Sequence, residues 1–195
     1  VPAYSGCDVN NCKVTGGGSE TKTVGTSGVY VFCSGVTLVG GSSLTLGPGT
    51  FIIDRGQLSI GGGSTLTATS GTTIILTTSN VNQACATSKI DGSAVISITA
   101  PTSGALSGIA IYQDRTCTDT SVTNSLSGGA TQTIVGAIYF PGEPVSYSGG
   151  SPTGGAVCTQ LIAWTISFGG SSTFNNNCTG TGTSSTSLTG GRLVE

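Results

Sequence analysis

The chain has 195 residues, enough for one domain with a core of its own, and a net charge of −2 with only 7% charged residues. That balance leaves no basic footprint for nucleic acid, and no apolar run reaches membrane-spanning length; the lack of any histidine removes Ser-His and Cys-His catalysis and His-based metal sites. Gly supplies 33 residues and Ser plus Thr 59, while mean hydropathy is +0.25, a composition too apolar and too uncharged for disorder, poor in helix formers, and suited to an all-β chain.

The first 33 residues read as an N-terminal cap region, beginning at Val1 without a Met or signal-like segment, as in a processed or trimmed chain. Val36-Thr37-Leu38 then opens a phrase that passes through Gly40-Gly41 to Leu44-Thr45-Leu46. It returns as Leu58-Ser59-Ile60, Gly61-Gly62-Gly63 and Leu66-Thr67-Ala68, with Leu38 and Ile60, like Leu44 and Leu66, 22 residues apart. A strand–corner–strand unit at such a period marks a solenoid, in which each coil buries its apolar face only against its neighbours.

Each coil is expected to hold a first strand, a Gly corner, a second strand, a turn and a third strand. The third strands are the most apolar: Phe51–Ile53, Ile74–Leu76, Ile109–Tyr112, Ala137–Phe140 and Leu161–Trp164. Turn residues precede three of them at Gly47-Pro48-Gly49, Ser70-Gly71 and Ser107-Gly108. First strands fall at Val36–Leu38, Leu58–Ile60, weakly near Ile90, at Val145–Tyr147 and at Ile166–Phe168. Four run into a Gly-Gly pair, and Gly128-Gly129 suggests a further corner. Extra residues around Asn80–Ser88 and Arg115–Thr123, and a Gly/Pro/Ser stretch at Gly149–Val157, map to loops on the scaffold.

These elements predict a right-handed parallel β-helix of about five to six coils over residues 1–178, its hand following from the chirality of parallel crossovers. The tail 179–195 is rich in Ser, Thr and Gly and reads as a linker or frayed end. Alternation turns Thr37, Thr45, Ser59 and Thr67 outward, giving a hydroxyl-rich outer surface.

The seven cysteines lack paired C-x-x-C knuckles, so disulfides in an oxidising compartment are the better expectation than zinc. Cys158 and Cys178 lie about one coil apart, and Cys85 and Cys117 sit in the two insertions. In the N-terminal group Cys7–Cys33 is favoured over Cys12–Cys33, which leaves Cys12 buried, free or intermolecular.

The acids number eight, none within two residues of another, which argues against paired-carboxylate or acidic-cluster catalysis and for a non-enzyme without cofactor. The step Asp54-Arg55 after one third strand recurs as Asp114-Arg115 after another, and marks a possible polar edge site or ionic ladder. Trp164, Tyr139, Tyr147 and Phe168 offer a sugar-stacking platform, although their place within apolar strands favours packing in the core or at a coil edge. Asn175-Asn176-Asn177 suggests an Asn ladder or a loop, and Asn177-Cys178-Thr179 fits a glycosylation sequon relevant only to a eukaryotic secretory route.

Several phrases in order resemble one bacterial family: Pro48-Gly49-Thr50-Phe51-Ile52-Ile53, Thr99-Ala100-Pro101-Thr102-Ser103-Gly104, Ile109 through Arg115, Gly136-Ala137-Ile138-Tyr139-Phe140-Pro141, Cys158-Thr159-Gln160-Leu161-Ile162-Ala163, and Phe168-Gly169-Gly170-Ser171-Ser172 with Asn175-Asn176-Asn177-Cys178. From about residue 33 to 178 the chain resembles the C-terminal domain of TadG-like (TadE/TadG-type) proteins associated with Tad/Flp pili. The resemblance implies an exported protein, usually anchored by a preceding transmembrane helix, with a role in pilus assembly, tip function or surface adhesion, and it carries over no catalytic residue. The expected function is therefore a non-enzymatic, extracellular structural or adhesive module of a bacterial surface, whose partners are pilus or cell-surface proteins, glycans or surfaces. Two alternatives are a filament subunit that stacks on itself through open coil ends and a polysaccharide-binding or polysaccharide-cleaving β-helix.

Overall fold

A computed structural model describes residues 1–127, 132–148, 158–170 and 177–184. Among them there is no helix, and sixteen strands form one continuous, entirely parallel sheet. In chain order they are β1 Val9–Val14, β2 Ser19–Lys22, β3 Val29–Leu38, β4 Ser43–Leu46, β5 Gly49–Asp54, β6 Gln57–Ile60, β7 Thr65–Ala68, β8 Thr72–Thr77, β9 Thr87–Ile90, β10 Val95–Thr99, β11 Ile109–Gln113, β12 Asn124–Ser127, β13 Gln132–Phe140, β14 Val145–Ser148, β15 Thr159–Ala163 and β16 Ile166–Gly169.

The pairings wind these strands into a parallel β-helix with three faces. One face stacks β2, β4, β7, β10 and the start of β13. A second stacks the starts of β1 and β3, then β5, β8, β11, the end of β13, and β15. The third stacks the ends of β1 and β3, then β6, β9, β12, β14 and β16. The described residues thus hold five coils that visit all three faces, with partial coils at either end. Stacked at about 4.8 Å per strand, the second and third faces are roughly 30 Å long.

The repeated phrase is the stacking unit. Leu38 lies beside Ile60 and Leu44 beside Leu66, at the 22-residue spacing, and all four are buried. Between them Ser42 and Ser64 are fully buried, with hydroxyls 3.3 Å apart and Ser42 Oγ donating to the Val14 carbonyl. The serine therefore satisfies polar groups inside the corner. Gly62 turns that corner at φ +59°, where a Cβ would stand 2.9 Å from the Gly40 nitrogen, closer than a real side chain approaches. A second corner joins β5 to β6 through Gly56, at φ +74°, whose missing Cβ would lie 2.5 Å from the Ser34 backbone.

Thr37 and Ser59 stand side by side on the third face, as do Thr45 and Thr67 on the first, each outside the core. The second face departs from the expected hydroxyl surface. Its outward row reads Val31, Ile52, Ile75, Tyr112, Tyr139, Ile162 in register along the rod. The first three are buried because the N-terminal segment, through Tyr4, and the 100–108 loop, through Leu106, lie over them. Tyr112 and Tyr139 are half-buried and Ile162 is 43% exposed.

The start of the Ser/Thr/Gly tail is no free linker. Thr183 Oγ1 donates to the Gly108 carbonyl at 3.1 Å, and Gln160 Nε2 donates to the Ser184 carbonyl at 2.8 Å. Gly128-Gly129, the Gly149–Val157 stretch, Asn175 and Asn176, and residues 185–195 lie outside the described residues.

Candidate functional site at the C-terminal end

Three disulfides staple the rod: Cys7–Cys33, Cys85–Cys117 and Cys158–Cys178, with Cα atoms 5.6, 5.8 and 4.6 Å apart. They place the chain in an oxidising compartment. Cys12 is a free thiol, 5% exposed within the main core, and burial pushes its pKa up. That position does not suit an intermolecular bond.

The two Asp-Arg steps occupy the same corner of the rod without forming one ionic ladder, because Thr77 of β8 stands between them. Asp54 is 3% exposed and accepts from Ser79 N and Ser79 Oγ, both at 2.7 Å. Arg55 Nε lies 3.4 Å from Asp54 Oδ1, and Arg55 Nη1 donates to Gln83 Oε1 at 2.7 Å. Asp114 accepts from Thr77 Oγ1 at 2.8 Å and from Thr116 N at 3.1 Å. Burial works to raise the Asp114 carboxyl, but these bonds outweigh it and hold the group below its ordinary value. Arg115 turns away from Asp114, and its guanidinium carbon sits 5.7 Å from the Tyr139 ring centre. Both steps therefore cap strand ends, and Arg115 alone is released toward the surface.

A polar network invisible to the spacing argument lies behind this corner. Gln113 and Asn124, both fully buried, donate to Glu143 Oε2 at 2.6 and 2.8 Å, and Asn124 Oδ1 accepts from Ser88 N at 2.8 Å. The signal available in the sequence is Gln113 itself, a polar residue two positions beyond the inward Ile111. The network fixes the 141–144 turn against the loop of residues 114–123. Gly142 is obligatory at that contact, since a Cβ there would collide with the Cys117 carbonyl.

Where turn and loop meet, Arg115, Thr118, Thr120, Pro141, Gly142 and Trp164 line a surface groove of about 420 Å³. Trp164 follows β15 at a corner, its N–H donating to the Phe140 carbonyl at 3.0 Å, and its side chain is 63% exposed. The expectation of core or coil-edge burial therefore fails for Trp164, and Phe168 is also exposed, whereas Tyr147 is buried and Tyr139 half-buried. Trp164 escapes the core because the apolar run Leu161–Trp164 outlasts its strand by one residue.

Among the described residues, four of the six exposed large hydrophobic side chains gather at one end, the other two being Val1 on the N-terminal segment and Val81 in the 80–88 loop. Ile162, Trp164, Ile166 and Phe168 all belong to the last coil. Leu161, Ala163 and Ile166 occupy positions that point into the core one coil below, beside Ile138, Phe140 and Val145. The first face at the opposite end is chemically different. In β2 the inward positions stacked on Leu44 and Leu46 hold Glu20 and Lys22, joined by an ion pair at 2.5 Å. The Glu20 carboxylate holds the Lys22 ammonium above its ordinary pKa.

No family model matches this chain, and neither a curated protein nor a solved structure shows significant similarity to it. Among the described residues no three His, Cys, Asp or Glu side chains gather as a metal-binding group, and no helix is long and apolar enough to cross a membrane.

Proposed function

We propose that this chain is a non-enzymatic, extracellular adhesive module of a bacterial surface, associated with a Tad-type pilus, that engages its target through its C-terminal end. The observation that carries this reading is the polarity of the rod: a charged pair and a pinned N-terminal segment at one end, exposed Ile162, Trp164 and Ile166 at the other. Apolar residues concentrated on one end of a hydroxyl-rich surface mark a contact region. Three disulfides support an exported location, and the ordered TadG-like phrases support the pilus context. The acids support a structural role, since Asp54, Asp114, Asp119 and Glu143 are each occupied by hydrogen bonds from the chain.

The same polarity weakens the filament alternative. Head-to-tail stacking in register would cover the Glu20–Lys22 pair of the first face and desolvate two charges. The test is display and attachment in a bacterium that carries the gene. Antibody against this chain is expected to label intact cells, and deletion is expected to reduce attachment. Labelling that requires permeabilised cells overturns the reading.

A further inference from the structure

We propose that the Arg115–Trp164 groove is a binding site for a carboxylated glycan, one whose sugars carry uronate-type acid groups. The inference rests on the adhesive reading above and names its ligand class.

Trp164 offers an exposed indole at a strand corner, and the chain path there is fixed by the backbone bond to Phe140. A large, rigid aromatic surface in water favours the apolar C–H face of a pyranose ring, with little side-chain entropy to lose. Arg115 supplies the charge. Neither ion pair among the described residues involves it; the adjacent Asp114 is taken by Thr77 and Thr116, and Asp119 is taken by Ser121. Arg115 is therefore a cation whose neighbouring acids are already committed, on a chain of net charge −2. A guanidinium presents paired N–H donors that match a carboxylate in a way a lysine does not.

The guanidinium is also held in place. It lies over Tyr139, which stacks on Tyr112 with ring centres 5.5 Å apart and planes 15° from parallel. Thr118 and Thr120 add hydroxyls that donate to and accept from sugar hydroxyls, and Pro141 and Gly142 form an apolar edge. The loop that carries Arg115, Thr118 and Thr120 is tied through Cys117 to Cys85, and Gly142 packs it against the next turn. The groove is thus preorganised, which lowers the cost of ordering on binding. A neutral sugar would use the indole but leave the cation unmatched, so charge complementarity selects the acidic class.

The test is calorimetric titration of the oxidised chain with tetragalacturonate and with its methyl-esterified counterpart, which keeps the rings and removes the charge. Tetragalacturonate is expected to bind at least tenfold more tightly, and the advantage to shrink as salt is raised. Trp164→Ala is expected to weaken both ligands tenfold or more, with Trp164→Tyr restoring most of that loss. Arg115→Gln is expected to leave the ester unchanged and to abolish the preference for the acid. Both residues are on the surface, and far-ultraviolet circular dichroism checks that each variant keeps its fold. Equal binding of the two ligands, no binding of either, or indifference to Trp164→Ala overturns the proposal. Cell attachment measured in parallel separates the two claims: a chain that supports attachment but binds no uronate leaves the adhesive reading standing and removes this one.

Discussion

The two ends of the rod differ in what their outermost strands present: a charged pair on the first face at one end, apolar side chains on the second and third faces at the other. A β-helix carries its core to both ends, so each terminal coil presents inward-facing side chains with no further strand stacked on them among the described residues. At the N-terminal end the positions above Leu44 and Leu46 hold Glu20 and Lys22, and the Cys7–Cys33 disulfide pins the preceding segment against the second face. At the C-terminal end the inward positions of β15 and β16, on the second and third faces, hold Leu161, Ala163 and Ile166. Edge strands invite pairing, and inward-pointing charges are one device that prevents it. Among the described residues the rod carries an inward ion pair at one end and leaves apolar side chains exposed at the other.

The sharpest test of this contrast removes the same side chain at two depths. Ile60→Ala, in the fully buried middle of the third face, is expected to cost about 2–5 kcal/mol of unfolding free energy. Ile166→Ala, at a 39% exposed position on the same face, is expected to cost roughly 1 kcal/mol or less. Denaturant unfolding measures both, and equal losses would mean that the last coil is covered. Removing the N-terminal staple comes next: Cys7→Ser with Cys33→Ser is expected to lose about 3 kcal/mol, the entropy of a cross-linked loop of this size. A loss near zero would detach the N-terminal segment from the stability of the rod.

Glu20→Leu with Lys22→Leu makes the N-terminal end resemble the interior. The exposed ion pair itself contributes only about 0–1 kcal/mol, so folding is expected to survive. Association is expected to appear as a concentration-dependent shift in sedimentation, and a variant that remains monomeric would deny the pair its blocking role. The smallest effect concerns pH. Asp114 is held below its ordinary value of 3.8, so its contribution is present above that value and is lost as pH falls through the lower folded pKa. Asp114→Asn is expected to flatten the acid limb of the stability profile, and an unchanged limb would contradict the hydrogen-bonded, ionised Asp114 described above.

The fold was legible because its evidence is local. Small residues at corners and alternating strands recur at the 22-residue spacing, and Leu38 beside Ile60 is that spacing made physical. Cys158–Cys178 follows from the same stacking logic, whereas Cys85–Cys117 joins the two insertions and Cys7–Cys33 is one of two pairings the N-terminal group allows. Glu20 and Lys22 give no such signal, because a strand with charges at its inward positions has no apolar alternation to reveal it. The covering of the second face is non-local: Tyr4, Leu106 and the 177–184 segment come from three separate places and carry no periodic signal. The same holds for the buried contacts of Glu143, which join Gln113 and Asn124 across separate strands. The apolar neighbours of Trp164 read as strand, yet β15 stops at Ala163 and frees the indole.

Placing the functional surface at the C-terminal end is tested most directly by comparing matched variants of the two ends for attachment to the same surface. Trp164→Ala at the C-terminal end is expected to reduce attachment at least tenfold, while Glu20→Gln with Lys22→Gln at the other end leaves it at the wild-type level. Equal attachment by all three chains, or a loss confined to the N-terminal variant, would contradict that placement.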